Sequence, residues 1–437
     1  MANKAQSYKG MKDYLPRDMR LRQYIVKTLT NVAERYGFEP MQTPIVEYEA
    51  TLAGKLGDDE KLIYRLQYGD DRLALRYDQT VSLARVVGQY PNELVLPFRR
   101  YAFGPSYRGE RPQRGRFREF FQFDIDIVGV DSRLADAEVV AVISEALAAL
   151  GFGRGDAPGF RTLLNHREIL AALARVAGVT NELATQVYRA VDKYDKIGQD
   201  GVRAELQKSG VTEDAAARIA EFIAMDDVPE TVLAAMNDVL REDDGGRAAV
   251  ADLAAVVRHL DELGVPASRY AVAPRLARGL SYYTGVVFEA VIEEPPIGSL
   301  LGGGRYDKLI GSFAGREVPT VGTAFGIERL QIVMTELGLQ PRDGNAPRVF
   351  VTLFSSDMAA PALQLAQELR AGGIPTITAL QPEKLGKQLK EADQKGIPLA
   401  LVLGPDEIAA NEVVVRDLRT GEQRRVPRTE VVAAVRA

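Results

Sequence analysis

Cysteine is absent from the 437 residues, and histidine occurs only as His166 and His259. Disulfides and thiolate metal sites are thereby excluded, and two imidazoles are too few for a histidine-rich zinc centre. A serine–histidine hydrolase site is equally poorly supplied, so no metal held by protein side chains alone is expected. No run of 18 apolar residues is present to span a bilayer. The opening stretch MANKAQSYKGMKDYLP has no apolar segment that would serve as a signal peptide, so a cytoplasmic protein without a membrane partner is expected. Strong charge of one sign is missing too. The net charge is −5 and the pI near 5.5, which is not the footprint of a protein held on nucleic acid by bulk charge, although a local basic patch can still bind it.

What is present is ordinary globular material, 46% apolar and 26% charged, long enough for two to four domains with cores of their own. Leu21, Ile25, Leu29, Val32 and Tyr36 draw one apolar stripe at helical period, which Gly37 ends. Pro40 and Pro44 bracket an extended piece suited to a sheet edge. A hairpin is expected at Gly69–Asp70, then a strand from Leu73 to Arg76 and a helix from about Asp78, where Asp78 or Thr80 could serve simply as a cap. A strand from Leu96 to Phe103 and an alanine-rich helix from Leu134 to Leu150 follow.

From residue 165 to 263 the texture turns helical and alanine-rich, as for a helical domain inserted into a sheet domain made of 1–164 and 264–336. A polar linker, 337–346, leads to 347–437, whose RVFVTLF, IPTITAL and PLALVLG alternate with two helices as a small parallel α/β domain closed by a hairpin at Thr420–Gly421. Beyond residue 345 there are 12 basic and 11 acidic side chains, and before it 43 and 49, so the tail is the less acidic part.

One stretch carries most of the chemical content. Tyr107 to Asp126 reads YRGERPQRGRFREFFQFDID, with Arg108, Arg111, Arg114, Arg116 and Arg118 against the single acid Glu110 in its first part. It then alternates, with Phe121, Phe123, Ile125 and Ile127 on one face and Gln122, Asp124 and Asp126 on the other, the mark of a half-buried strand. Arginine is a planar fork suited to phosphate. Gln122 and Asp126 would stand about 13 Å apart on one face of an extended strand, leaving room between their side chains for a small amino acid. The competing reading is a basic surface hairpin with a solvated acidic face.

Two glycine-rich segments add to this. Gly302, Gly303 and Gly304 lack the endings of a P-loop or a dinucleotide fingerprint, and are better suited to letting a flat ligand or another backbone approach. Gly322, Ala324 and Gly326 leave a slot along one face, with Arg329 following on the helix behind it.

In order along the chain, these segments resemble the histidyl-tRNA synthetases, a family of class II aminoacyl-tRNA synthetases, over nearly the whole length. GFEPMQTP is similar to motif 1 of that class, YRGERPQRGRFREFFQ to motif 2 and GTAFGIERL to motif 3, while ARGLSYYTG and GGGRYDKL resemble the two histidine-specific motifs. The resemblance implies an α+β fold: an antiparallel-sheet class II synthetase catalytic domain with a helical insertion, followed by a small α/β anticodon-binding domain. It implies ATP as substrate with Mg²⁺, formation of histidyl-adenylate with loss of pyrophosphate, transfer of histidine to tRNA(His), and a homodimer. By motif match, Arg108 and Arg278 would flank the reacting phosphate as catalytic residues. Arg108, Glu110, Phe325 and Arg329 would hold ATP, the Phe325–Ile327 backbone lining the adenine slot. Asp78, Thr80, Gln122, Asp126, Arg278, Tyr282, Tyr283 and Tyr306 would hold histidine, Asp126 and Tyr283 bracketing its imidazole. Arg111, Gln113 and Arg116 would meet the tRNA acceptor end.

The chain departs from many bacterial relatives in having aspartate rather than glutamate at Asp78 and Asp126, and Ser281 where aspartate is frequent. The alternative in another class is a non-catalytic paralogue, either a regulatory subunit of histidine biosynthesis or a sensor of uncharged tRNA, from which loss of motif residues would be expected. A synthetase for threonine, proline or glycine is a further alternative, and the threonine case needs zinc ligands this chain lacks.

Overall fold

The apolar stripe of the first helix, Pro16–Arg35, is buried at Leu21, Ile25, Leu29 and Val32, and Gly37 adopts a positive φ of 74° just beyond its end. The computed structural model describes residues 5–277, 282–341 and 346–436. The chain divides into two units, Met1–Gln340 and Pro341–Ala437. No helix among the described residues is long and apolar enough to cross a membrane.

The strands are, in chain order, β1 (Glu39–Pro40), β2 (Val46–Tyr48), β3 (Arg65–Tyr68), β4 (Asp71–Leu75), β5 (Phe98–Tyr107), β6 (Glu119–Val128), β7 (Arg161–His166), β8 (Tyr270–Val272), β9 (Val286–Val291), β10 (Leu301–Arg305) and β11 (Thr320–Gly326). Eight of them form one sheet in the order β1-β5-β6-β11-β10-β9-β7-β8. Pairing is antiparallel except at the two margins, where β1 runs parallel to β5 and β7 parallel to β8. The proline-bracketed piece is thus an edge strand, as its missing N–H requires. The hairpin turn at Gly69–Asp70 joins β3 to β4 in a separate three-stranded sheet, β2-β4-β3.

β6 differs from expectation in one respect. It is not half-buried: every residue from Gln122 to Val128 is buried, because the strand is central in the sheet and both faces are covered. Phe123, Ile125 and Ile127 join the core that includes helices Pro16–Arg35, Arg133–Ala149 and Ile327–Glu336. The opposite face looks into a cleft.

Helices Arg167–Val176, Asn181–Val191, Tyr194–Lys208, Glu213–Ile223, Pro229–Val239 and Asp244–Glu262 form the segment between β7 and β8. Their apolar side chains, among them Leu170, Leu173 and Val257, belong to the same core cluster as Ile125, so the inserted segment is packed onto the sheet rather than tethered to it. His166 caps the first of these helices, its Nδ1 accepting the Glu168 N–H at 3.1 Å.

The second unit holds β12 (Val349–Val351), β13 (Thr376–Thr378), β14 (Leu399–Val402), β15 (Glu412–Asp417) and β16 (Gln423–Pro427), in the order β13-β12-β14-β15-β16. Only β13, β12 and β14 are parallel. The hairpin turn between β15 and β16 adds antiparallel strands, so the sheet is mixed rather than parallel throughout.

One buried ion pair fixes the end of β10. Arg305 donates Nε to Asp136 Oδ1 at 3.1 Å and Nη2 to Asp136 Oδ2 at 2.6 Å, with the Val130 and Ser132 carbonyls and Asp307 Oδ1 accepting its remaining N–H groups. Removing one partner of such a pair strands a buried charge. Asp136→Ala is therefore expected to cost about 3–5 kcal/mol in urea unfolding. Asp238→Ala, which deletes an exposed pair with Arg241, is expected to cost less than about 1 kcal/mol.

Candidate active site

The floor of the cleft is set by strand register. Arg100, Asp126 and Gly322 lie side by side across β5, β6 and β11; Ala102, Asp124 and Ala324 form the next row, and Gly104, Gln122 and Gly326 the third. Side chains at directly opposed positions share a face. The two outer strands therefore offer small residues beside Asp124 and Gln122, and a cavity of about 700 Å³ opens above. The approach is tight: a Cβ added at Gly322 would collide with the Asp126 carboxylate, and one added at Gly303 would meet the Gly322 carbonyl. The glycines of β10 and β11 thus admit neighbouring groups of the protein itself.

At one end of the cleft, acids and phenols converge. Asp126 Oδ1 accepts the Tyr306 hydroxyl, and Asp126 Oδ2 lies 2.8 Å from Arg100 Nη2. Tyr282, Tyr283 and Tyr306 pack edge to face, with ring centroids 5.0 to 6.5 Å apart. Burial, reinforced by the nearby Asp78 and Asp126 carboxylates, pushes the Tyr283 phenol well up, so it stays protonated and able to donate. Asp78 does cap its helix, its Oδ1 accepting the Thr80 and Val81 N–H groups at 3.0 Å each. Its Oδ2 faces the Tyr282 hydroxyl at 3.2 Å, so the cap is also part of the pocket wall. Gln122 Oε1 is buried without a hydrogen-bond partner, an acceptor aimed where a ligand donor would be welcome.

The other end is cationic. The Arg108 guanidinium lies over the Tyr77 ring at 4.1 Å and near Phe120 at 5.0 Å, with its Nε donating to the Tyr77 carbonyl at 3.3 Å. Arg116 pairs with Glu110 at 3.3 Å. Arg329 donates Nε to the Gly115 carbonyl at 3.3 Å and Nη1 to Ser299 Oγ at 3.2 Å. Burial lowers the Arg329 pKa, and repulsion from Arg116 adds to this, so an anion here would relieve surplus positive potential. Glu328, the preceding residue, is locked by Arg22 at 2.6 Å and by the Phe121 N–H at 2.9 Å. That network holds the helix bearing Arg329 against β6.

Of the residues marked out by sequence, Asp78, Thr80, Arg108, Glu110, Gln113, Arg116, Gln122, Asp126, Tyr282, Tyr283, Tyr306 and Arg329 all line this one cleft. Two do not. The Phe325 side chain is buried in the core, edge to face with Phe123, because it alternates with the cleft-facing Ala324 and Gly326. Arg111 is exposed and outside the lining, since the loop turns away before the tight Gln113–Arg116 bridge brings it back. Arg278 and Ser281 lie outside the described residues. Sequence reasoning missed Arg100, the Tyr77 and Phe120 clamp on Arg108, and Lys196, which reaches the cleft from the inserted helices. The signal for Arg100 was available in the alternation of Arg100, Ala102 and Gly104 along β5. Among the described residues no group of three or more histidine, aspartate or glutamate side chains could hold a metal ion.

A family model described as histidyl-tRNA synthetase matches residues 10–330, and one described as an anticodon-binding domain matches residues 348–437. The histidine–tRNA ligase of Aeropyrum pernix is 39% identical over 98% of this chain and 97% of its own. That of Gloeobacter violaceus is 36% identical over 96% and 95%. The crystal structure of histidyl-tRNA synthetase from Nostoc sp. PCC 7120 superposes with a TM-score of 0.87 at 32% identity, covering 99% of this chain and 98% of that one. A structure described as an ATP phosphoribosyltransferase regulatory subunit/histidyl-tRNA synthetase from Bacillus halodurans C shares the fold, with a TM-score of 0.73 at 22% identity over 88% of this chain and 96% of that one.

The close approach of β11 to Asp126 is open to test. Gly322→Ala is expected to lower the unfolding free energy by roughly 1–3 kcal/mol, since the strand must shift to clear the carboxylate. Gly302→Ala, whose added Cβ meets only Glu289 at 3.8 Å, is expected to change it by less than about 1 kcal/mol in the same denaturation measurement.

Proposed function

Because the chain belongs to the histidyl-tRNA synthetase family, we propose that this cleft activates histidine with ATP and passes it to the 3′ end of tRNA(His). ATP-dependent ligation of histidine to tRNA is the chain's activity, carried by relatives that match it over nearly its full length. The observation that supports the site assignment is the polarity of the single cleft. Acids and phenols fit an imidazole and an ammonium at one end, and arginines fit a triphosphate at the other.

Histidine lies along β6 in this reading. Its imidazole N–H donates to Asp126 and its other ring nitrogen accepts from the Tyr283 hydroxyl, while its α-ammonium meets Gln122 Oε1 and the Asp78–Thr80 corner. Paired polar partners of this kind reject an analogue that lacks the matching nitrogen, because the partners are then left buried and unbonded. The α-carboxylate points toward Arg108. One carboxylate oxygen bonds to the α-phosphorus of ATP, the bond to the bridging oxygen breaks, and pyrophosphate leaves. Arg108, stiffened between two aromatic rings, holds the α-phosphate where charge develops, and Arg278 is assigned the facing position by motif alone. Arg329 holds the far end of ATP, and the backbone of Phe325 to Ile327 lines the adenine.

Magnesium enters with ATP. Glu110 and Glu289 are among the six carboxylates that line the cleft, and they are the candidates to share with substrate phosphates a magnesium ion that needs only one or two protein carboxylates. The ion would neutralise phosphate charge there. Gln113 and Arg116, at the loop tip, meet the acceptor end of tRNA, with exposed Arg111 as an outer contact to its backbone. The second unit reads the anticodon, and the chain works in the cytoplasm.

A homodimer is supported by the small sheet. Val46, Tyr48, Leu66 and Tyr68 are exposed on one face of β2-β4-β3, the two tyrosines at 62% and 79%, while Glu47 and Ala74 on the other face are buried. An apolar face of this kind is suited to a second copy of the chain.

The residue roles are tested by steady-state pyrophosphate exchange. Asp126→Asn is expected to raise KM for histidine by about tenfold or more with KM for ATP little changed, whereas Arg108→Ala is expected to lower kcat by about a hundredfold or more. Equal effects of Asp126→Asn on both substrates would refute the placement of the imidazole. For assembly, Tyr48→Asp combined with Tyr68→Asp is expected to yield monomer by sedimentation velocity where the unaltered chain sediments as a dimer.

A further inference from the structure

Arg100 is among the largest fully buried side chains, at 0% exposure, and it sits as a cation behind the cleft-lining Asp126. It stands opposite Asp126 in register, with Asp124 one row along. Nη2 lies 2.8 Å from Asp126 Oδ2 and 3.7 Å from Asp124 Oδ2, while Nε and Nη1 have no hydrogen-bond partner among the described residues. An ion pair so incompletely bonded is a poor source of stability, and apolar side chains of similar volume would serve a fold at least as well. Its effect on Asp126 accounts for it better.

Asp126 is faced by Arg100 from β5, by Tyr306 from beyond β10, by Asp78 from the start of the helix Thr80–Gln89, by Tyr283, and by Asp124 on its own strand. Burial pushes its carboxyl toward the protonated form, and Arg100 is the largest opposing influence, followed by the Tyr306 hydroxyl. Asp124 has the weaker claim on Arg100, and burial pushes it up to about 8. The other nearby cation, Arg76, is bonded to the Thr43 and Pro105 carbonyls. Only Arg100 makes an ion pair with Asp126 among the described residues.

We infer that Arg100 is a positioning residue for amino-acid specificity: it holds Asp126 ionised and oriented as the acceptor for the substrate's imidazole N–H. The inference rests on the histidine reading above. A neutral Asp126 would spend its own proton on a neighbour and lose the charge-assisted bond that favours imidazole over other rings. Arg100 itself does not touch the substrate; it acts through Asp126.

The test measures kcat/KM for histidine and for ATP in pyrophosphate exchange from about pH 5.5 to 9 for the unaltered enzyme, R100M, R100K, D124N and D126N. R100M is expected to raise KM for histidine about tenfold or more while leaving KM for ATP within about twofold. It is also expected to move the acid limb of the histidine profile to higher pH. Asp126 must be ionised to work, activity falls as pH drops through its pKa, and loss of the guanidinium raises that pKa. The substrate's own imidazole titration is common to all variants and cancels in the comparison. R100K, which keeps a cation, holds the limb closer to the unaltered enzyme, and D124N, which leaves Arg100 to Asp126 alone, moves it no higher. R100K and D124N carry the test if R100M does not fold. Equal rises in both KM values with an unmoved limb, or a D124N enzyme as impaired as R100M, would mark Arg100 as structural and overturn the inference. An unaltered KM for histidine in D126N would instead remove the imidazole from Asp126, the reading beneath it.

Discussion

Carboxylates do not belong in the middle of a sheet unless something holds them there. Asp124 and Asp126 are both buried on the central strand β6, and Asp78 is buried beside them at a helix start. Each would take up a proton or find a partner rather than remain a lone buried charge. The partners come from separate parts of the chain: Arg100 from β5, Tyr306 from beyond β10, Tyr282 from before β9. Satisfying these acids therefore requires that β5, β6, β10 and β11 be in register, and the register in turn builds the cleft.

The same register separates two chemistries along one strand. Toward its end β6 presents Asp126 among phenols, and toward its beginning Gln122 leads back to the loop bearing Arg108 and Arg116. In the proposed reading, an amino acid lying between them has its side chain among acids and its carboxylate near arginine. Glycine and alanine on β11 keep the space open, and the network of Glu328, Arg22 and the Phe121 N–H sets Arg329 at a fixed distance behind it. Little is asked of any residue as a proton carrier. Placement and charge do the chemistry, as suits attack at phosphorus.

Much of this was legible in the residues. The alternation of Phe123, Ile125 and Ile127 with Gln122, Asp124 and Asp126 assigned the faces of β6 correctly, and the small residues at Gly322, Ala324 and Gly326 announced a slot. What a single strand could not reveal was its neighbours. Alternation reports two unlike faces, not whether the polar one meets solvent or a lined cleft, so β6 read as half-buried when it is buried on both sides. For Arg100 the alternation with Ala102 and Gly104 told its face, while its meaning lies in the cross-strand partner Asp126. Phe325 was assigned to ATP through its backbone, and alternation with Ala324 and Gly326 turns its ring into the core. In the second unit the βαβαβ rhythm was clear, while the direction of the last two strands depended on one hairpin.

The acid-and-phenol end of this cleft is proposed to select histidine, and the arginine end to turn it into an adenylate. The most direct measurement is pyrophosphate exchange into ATP by the purified full-length chain, with each of the common amino acids supplied singly. Exchange that depends on histidine, with the other amino acids at background, is the predicted result. Exchange driven by a different amino acid, or none with histidine and magnesium-ATP both present, would contradict it.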